Sequence, residues 1–170
     1  MPVTYNLIAS NTLSSSAASV TFSAIPNTYT DLVLRISARG SAAGGNNEIN
    51  LLINGSTSSI YSNTNLFGDG GSAGSNRETN SARMQLFVMS GNTATANTFS
   101  SHEVYLPNYL ASTNKPLSSF NAQENNLSTA YIDATASLFR DTAAITSLTV
   151  TAQANFVTGS SFFLYGIKNS

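Results

Sequence analysis

A hydrolytic triad needs a base, and this chain has one histidine, His102, to offer. It stands in Ser100-Ser101-His102-Glu103-Val104, where strand alternation puts it on the same side as Val104 and Leu106. No Gly-x-Ser-x-Gly elbow is present to present a nucleophile. A lone histidine on an apolar face reads as a packed side chain, not as a base. Glycoside hydrolysis would need two carboxylates flanking one bond. The eight acids, Asp31, Glu48, Asp69, Glu78, Glu103, Glu124, Asp133 and Asp141, are scattered singly, and spacing alone brings no two of them together. Asp69-Gly70-Gly71 has one carboxylate, where a calcium loop supplies several. Cysteine is absent, which removes thiolate nucleophiles, thiolate metal sites and disulfides together. The expectation is therefore a non-enzyme with no catalytic residue, no cofactor and no metal.

Tyr105, Tyr109 and Tyr131 could stack on sugars, while neutral Asn and Thr side chains bond hydroxyls. The plainer reading places these rings in the core or a subunit interface, where tyrosine is enriched. Asn54-Gly55-Ser56 and Asn126-Leu127-Ser128 match the glycosylation sequon, as chance allows in a chain with about two-fifths Ser, Thr and Asn.

Positioning such groups falls to a chain of 170 residues, enough for one domain, 1–170, with a sizeable core. Only 9% of residues are charged, against about 25% in typical domains, and the net charge is −1. Nucleic-acid binding, which rests on a basic excess, is not expected. Solubility comes from neutral polar groups, and a 41% hydrophobic share argues against disorder. No run reaches the ~18 apolar residues of a membrane span. Met1-Pro2-Val3-Thr4-Tyr5 reads as lacking a secretory leader.

The dominant period is two. Leu32, Leu34 and Ile36 share one face while Arg35, Ser37 and Arg39 share the other. Ile49, Leu51 and Ile53 repeat the pattern, as do Met84, Leu86 and Val88. Val20 and Phe22, Val104 and Leu106, and Leu148, Val150 and Ala152 mark further strands. Ser128 to Leu138 reads as a strand, not a helix, with Ala130, Ile132, Ala134, Ala136 and Leu138 on one face and Tyr131 and Thr135 on the other. Phe162 and Leu164 oppose Phe163, Tyr165 and Ile167 in a final strand that is apolar on both sides, so Phe163, Tyr165 and Ile167 are candidates for a subunit interface. Ile25-Pro26-Asn27-Thr28 and Asn54-Gly55-Ser56 read as turns, Gly40 to Asn47 as a loop, and Phe67 to Thr79 as the longest flexible stretch. The fold expected is all-β: an antiparallel, jelly-roll-like β-sandwich of nine or ten strands.

The segments Tyr5-Asn6-Leu7-Ile8-Ala9-Ser10, Val20 to Arg35 with its F-x-x-I-P-x-T-Y-T-D-L core, Leu52-Ile53-Asn54-Gly55, Gln123-Glu124-Asn125-Asn126 and the closing Phe162-Phe163-Leu164-Tyr165-Gly166-Ile167 together resemble the small β-sandwich virion proteins of tailed bacteriophages. The resemblance runs nearly end to end. It implies a virion structural protein assembled in the host cytoplasm, with no catalytic residues to carry over. Two roles follow from it. One is a capsid decoration, or cement, protein: a homo-oligomer, most simply a trimer, on the major capsid protein at the shell exterior. The alternative is a tail fibre or receptor-binding module that binds host glycans, with Tyr105 and Tyr109 as contacts. The chain shows no shaft repeat, which favours decoration.

Overall fold

The computed structural model describes residues 4–168. Met1 to Val3, the start of the stretch read for a secretory leader, lie outside the described residues. Twelve strands and no helix make up the rest. In chain order they are β1 (Tyr5–Thr12), β2 (Ala17–Phe22), β3 (Asp31–Ala38), β4 (Asn46–Ile53), β5 (Tyr61–Gly68) and β6 (Ala73–Ser81). Then follow β7 (Met84–Ser90), β8 (Ser100–Leu106), β9 (Lys115–Gln123), β10 (Tyr131–Phe139), β11 (Leu148–Phe156) and β12 (Ser161–Ile167).

Every pairing between these strands is antiparallel. One sheet runs β1-β12-β3-β8-β9-β10-β5-β6 and the other β2-β11-β4-β7. The orders 1-12-3-8 and 2-11-4-7 are the winding of an eight-strand jelly roll. Two hairpins, β5–β6 and β9–β10, are inserted into that winding and pair with each other through β10 and β5. They double the width of one sheet.

The nine residues expected inside, Leu32, Leu34, Ile36, Ile49, Leu51, Ile53, Leu86, Val150 and Leu164, are all buried. They fill the space between the two four-strand halves of the roll together with Phe156 and Phe162, whose rings meet edge-on at 5.0 Å. Gly166 is needed here: a Cβ on it would fall within 2.5 Å of the Tyr29 ring packed against it.

Sequence and structure part company in the inserted hairpins. Four strands carried no clear apolar alternation: β1, β5, β6 and β9. Phe67 to Thr79 is not a flexible loop but the turn and arms of the β5–β6 hairpin, closed by Asp69, whose carboxylate accepts from the amides of Gly71 and Ser72 at 2.9 and 2.6 Å. Asn46 and Asn47, placed in a loop, open β4. In β10 the strand assignment holds, and the face that turns outward is the apolar one, the reverse of the usual amphipathic strand. Asp133, Thr135, Ser137 and Phe139 point inward, while Ile132, Ala134 and Ala136 are exposed. β9 follows suit, with Ser119, Asn121 and Gln123 inside and Phe120 and Ala122 outside.

The reversal has a cause in β7. This strand is the free edge of the smaller sheet, and it lies beneath the wider one. Its backbone groups need partners, and polar side chains from the opposing sheet supply them. Asn63 of β5 donates to the Arg83 carbonyl at 3.1 Å and accepts from the Gln85 amide at 3.2 Å. Asn121 of β9 donates to the Val88 carbonyl at 2.8 Å, and Ser100 of β8 accepts from the Ser90 amide at 2.7 Å. Each such group left bare would cost about 1–3 kcal/mol. Behind this row, Asp133 accepts from Asn65 at 3.1 Å and Thr135 at 2.9 Å.

Two further reversals are local. β7 carries a bulge, with Leu86 and Phe87 together opposite Ile49, so Met89 is buried where Val88 was expected. Arg39, assigned to the outer face of β3, lies past the end of that strand and is 8% exposed. Its guanidinium donates to the carbonyls of Asn92, Ala94, Thr95 and Thr98, holding the 91–99 loop.

Leu34→Ala should destabilise the protein by about 2–5 kcal/mol in denaturant melts. Ile132→Ala should change the stability of the isolated protein by no more than ~0.5 kcal/mol, because its side chain is on the solvent side of β10.

Candidate functional site

His102 is fully buried on β8, where its strand neighbours across the sheet are Ile36 and Asn121. Neither ring nitrogen makes a well-formed hydrogen bond. Burial pushes its pKa down to about 4, against a weaker upward pull from the Leu86 backbone. The ring is neutral and packed inside the sandwich.

The acids are occupied in several structural tasks. Asp31 accepts from the Tyr105 hydroxyl and the Asn108 amide, Glu103 pairs with Arg35 at 2.9 Å, and Asp141 holds the Ala143 amide at 2.8 Å. The hydrogen bonds that close the turn around Asp69, first those from Ser72 and then Gly71, hold its carboxyl below the usual range. Burial raises Asp133. Among the described residues, no group of three or more His, Asp or Glu side chains is placed to hold a metal ion.

The tyrosines proposed as sugar contacts part ways. Tyr109 is 0% exposed, with its hydroxyl donating to the Pro26 carbonyl, so it offers no stacking face. Tyr105 is on the outer side of the wide sheet, tied by its hydroxyl to Asp31 at 2.9 Å. Tyr131 is half-buried in a cluster with Phe67 and Phe87. Of the three interface candidates, Phe163 and Tyr165 are partly exposed on the outer side of β12, whereas Ile167 is buried within the chain.

The outer face of the wide sheet carries most of the exposed large apolar side chains. Register places Leu66, Ala134 and Phe120 in one row across β5, β10 and β9, with Glu103 and Arg35 continuing it. Ile132 and Ala122 occupy the next row. Leu66, Phe120 and Ile132 are 66%, 51% and 55% exposed. The alanines between them keep the surface low. The Arg35–Glu103 pair then divides this apolar area from a second one on β1 and β12, where Leu7 is 55% exposed and Tyr5 meets Tyr165 edge-on at 6.3 Å. Arg35 also lies over the Tyr5 ring.

No family model, no curated protein and no solved structure matches this chain. Contiguous exposed apolar area is a common feature of interaction surfaces. Here it is confined to a face that alternation would leave polar, which is why Leu66 and Phe120 drew no notice in the sequence. One signal was legible: Ile132, Ala134 and Ala136 form an apolar face on β10, though the side it takes depends on β7.

His102 makes the fold acid-sensitive. Its folded pKa is below the ordinary 6.5, so the fold prefers the neutral ring; that stability is complete above pH 6.5 and lost as pH falls toward 4. The loss should approach about 3 kcal/mol. Asp133, raised by burial, works in the opposite sense as it protonates. Urea midpoints measured between pH 7 and 4 should fall, and His102→Leu should flatten that slope.

Proposed function

We propose that this protein is a structural component of a tailed-phage virion, a decoration protein that cements the outside of the capsid shell. The observation that carries the reading is the exposed apolar face of Leu66, Phe120 and Ile132 on the inserted hairpins. A sheet that turns polar residues inward and apolar ones outward gains from that arrangement when a partner covers the outside. The nearly end-to-end resemblance to small phage virion proteins supports a partner within the particle, and the decoration role makes that partner the major capsid protein. The jelly-roll fold recurs in viral coats and supports the reading by analogy alone.

The two apolar areas suit two contacts. The β5–β9–β10 area docks on the shell. The β1–β12 area, with Leu7, Phe163 and Tyr165, packs copies against each other as a trimer. With 9% charged residues, copies meet little like-charge repulsion. The tail-fibre alternative loses Tyr109, which is buried.

Phe120→Asp and Ile132→Asp should each leave the fold's melting temperature within a few degrees of the parent and abolish attachment to shells assembled without the protein. Labelled copies should spread over the whole capsid, and light scattering of the isolated protein should give a trimer. Labelling confined to the tail tip, or attachment unaffected by both substitutions, would reject the decoration role.

A further inference from the structure

The wide sheet overhangs the narrow one at β6, and the overhang leaves a cleft of about 230 Å³. Its floor is the outer side of β4 and β7, from Glu48, Asn50, Gln85, Phe87 and Val88; Asn76 of β6 forms the opposite wall. Its position is opposite to the apolar docking area. Asn76 pairs with Asn65 and so shares the inward-facing side of the wide sheet, whereas Leu66 and its neighbours face outward.

Phe87 is the unusual residue. It is bulky, yet its φ is +66°, in the left-handed region that such side chains avoid. Conformations of this kind cost of order 1–3 kcal/mol and persist where surroundings enforce them, often at ligand sites. The consequence is the β7 bulge, which breaks alternation and sets the consecutive residues Phe87 and Val88 both on the cleft. The Phe87 ring stacks on Phe67 at 5.4 Å, and Tyr131 meets it edge-on at 5.3 Å. Phe67 is backed in turn by Gly74, where a Cβ would come within 2.7 Å of the ring. The aromatic wall is thus braced from behind and does not collapse into the cleft.

The other walls are planar hydrogen-bonding groups. Gln85 donates to Glu78 at 2.8 Å, and Arg83 donates to Asn50 at 3.2 Å and lies 3.9 Å from Glu48. Amides give both donors and acceptors, and carboxylates accept. Asn76 is exposed, and among the described residues no hydrogen bond engages its amide. An anionic ligand would meet Glu48 on the cleft floor, which Arg83 approaches only to 3.9 Å while it donates to Asn50. An apolar one would strip water from amides without replacing it. A neutral polyol ring satisfies both requirements, with its C–H groups in van der Waals contact with Phe87 and Val88 and its hydroxyls on the amides and the Glu48 carboxylate. The volume is below the roughly 300–1,000 Å³ of drug-sized sites and suits one ring.

We propose that the Phe87–Gln85–Asn76 cleft binds a single neutral pyranose of a surface glycan. This reading stands apart from the docking role, and under that role the cleft faces away from the shell. It calls for binding only.

The test is amide NMR of the full chain titrated separately with methyl glucoside, methyl galactoside, methyl mannoside and N-acetylglucosamine. At least one should give saturable, millimolar shifts centred on the side-chain amides of Asn76 and Gln85 and the backbone of Phe87. Phe87→Asn, which keeps a residue tolerant of positive φ, should weaken binding about ten-fold or more. Asn76→Ala, at an exposed position where truncation should leave stability close to that of the parent, should weaken it several-fold. Arg77→Ala, on the opposite side of β6, should bind as the parent does. The proposal is overturned by the absence of saturable shifts with all four sugars, by shifts centred outside the cleft, or by parent-like binding in Asn76→Ala.

Discussion

The free edge of β7 sets the terms for half the molecule. A four-strand sheet faces an eight-strand one, so its last strand runs beneath the wider sheet with backbone groups exposed to a dry interior. Water cannot serve them there, and no thirteenth strand does. Asn63, Asn121 and Ser100 reach across from three strands of the other sheet and take up that role. Once those positions are polar, the two-residue period of a strand fixes the rest. The alternate positions of β5, β9 and β10 point outward, and they hold the leucine, phenylalanine, isoleucine and alanines. The apolar outer face and the polar interior are therefore one decision.

This explains why the features with functional promise gather on the insertions. The jelly-roll winding itself is a conventional aliphatic core with turns of familiar type, such as Asn54-Gly55, both at positive φ. The β9–β10 hairpin and β5 carry the exposed apolar face. The β5–β6 hairpin, reaching past the edge of the narrow sheet, makes the cleft wall. A buried cation plays a comparable bracing role at two other places. Arg39 gathers four carbonyls of the 91–99 loop, and Lys115 gathers those of Thr113, Asp141 and Ala143 at 2.6, 3.2 and 2.9 Å. Burial lowers the Lys115 pKa. With so few charges in the chain, spending two of them on loop carbonyls shows how much of the fold depends on satisfying backbone groups away from the sheets.

How much was legible in advance divides along the same line. The aliphatic strands β3, β4, β11 and β12 declared themselves, and with them the sandwich and its core from Leu32 to Leu164. Burial there needs only apolar groups every second residue, a local pattern. β5, β6 and β9 were missed because Asn, Ser and Thr at their inward positions look like a loop. Lys115 and Arg39 gave no signal, since a buried cation is recognised by the carbonyls around it and these come from segments distant in sequence. The eight acids looked scattered, yet Glu48 and Glu78 end beside the same cleft by way of Arg83 and Gln85.

The sequence by itself determined that the chain is all-β, what fills the space between the two halves of the roll, and that no nucleophile, base and acid stand in a known motif. Those follow from side-chain type and a period of two, which act within a few residues. Only the tertiary structure decided which side of β10 is outside, which tyrosines are accessible and where a cleft opens. Each of these depends on how wide one sheet is relative to the other and on which strand lies beneath the overhang. Pairing between strands up to 162 residues apart, as between Tyr5 of β1 and Ile167 of β12, settles those widths.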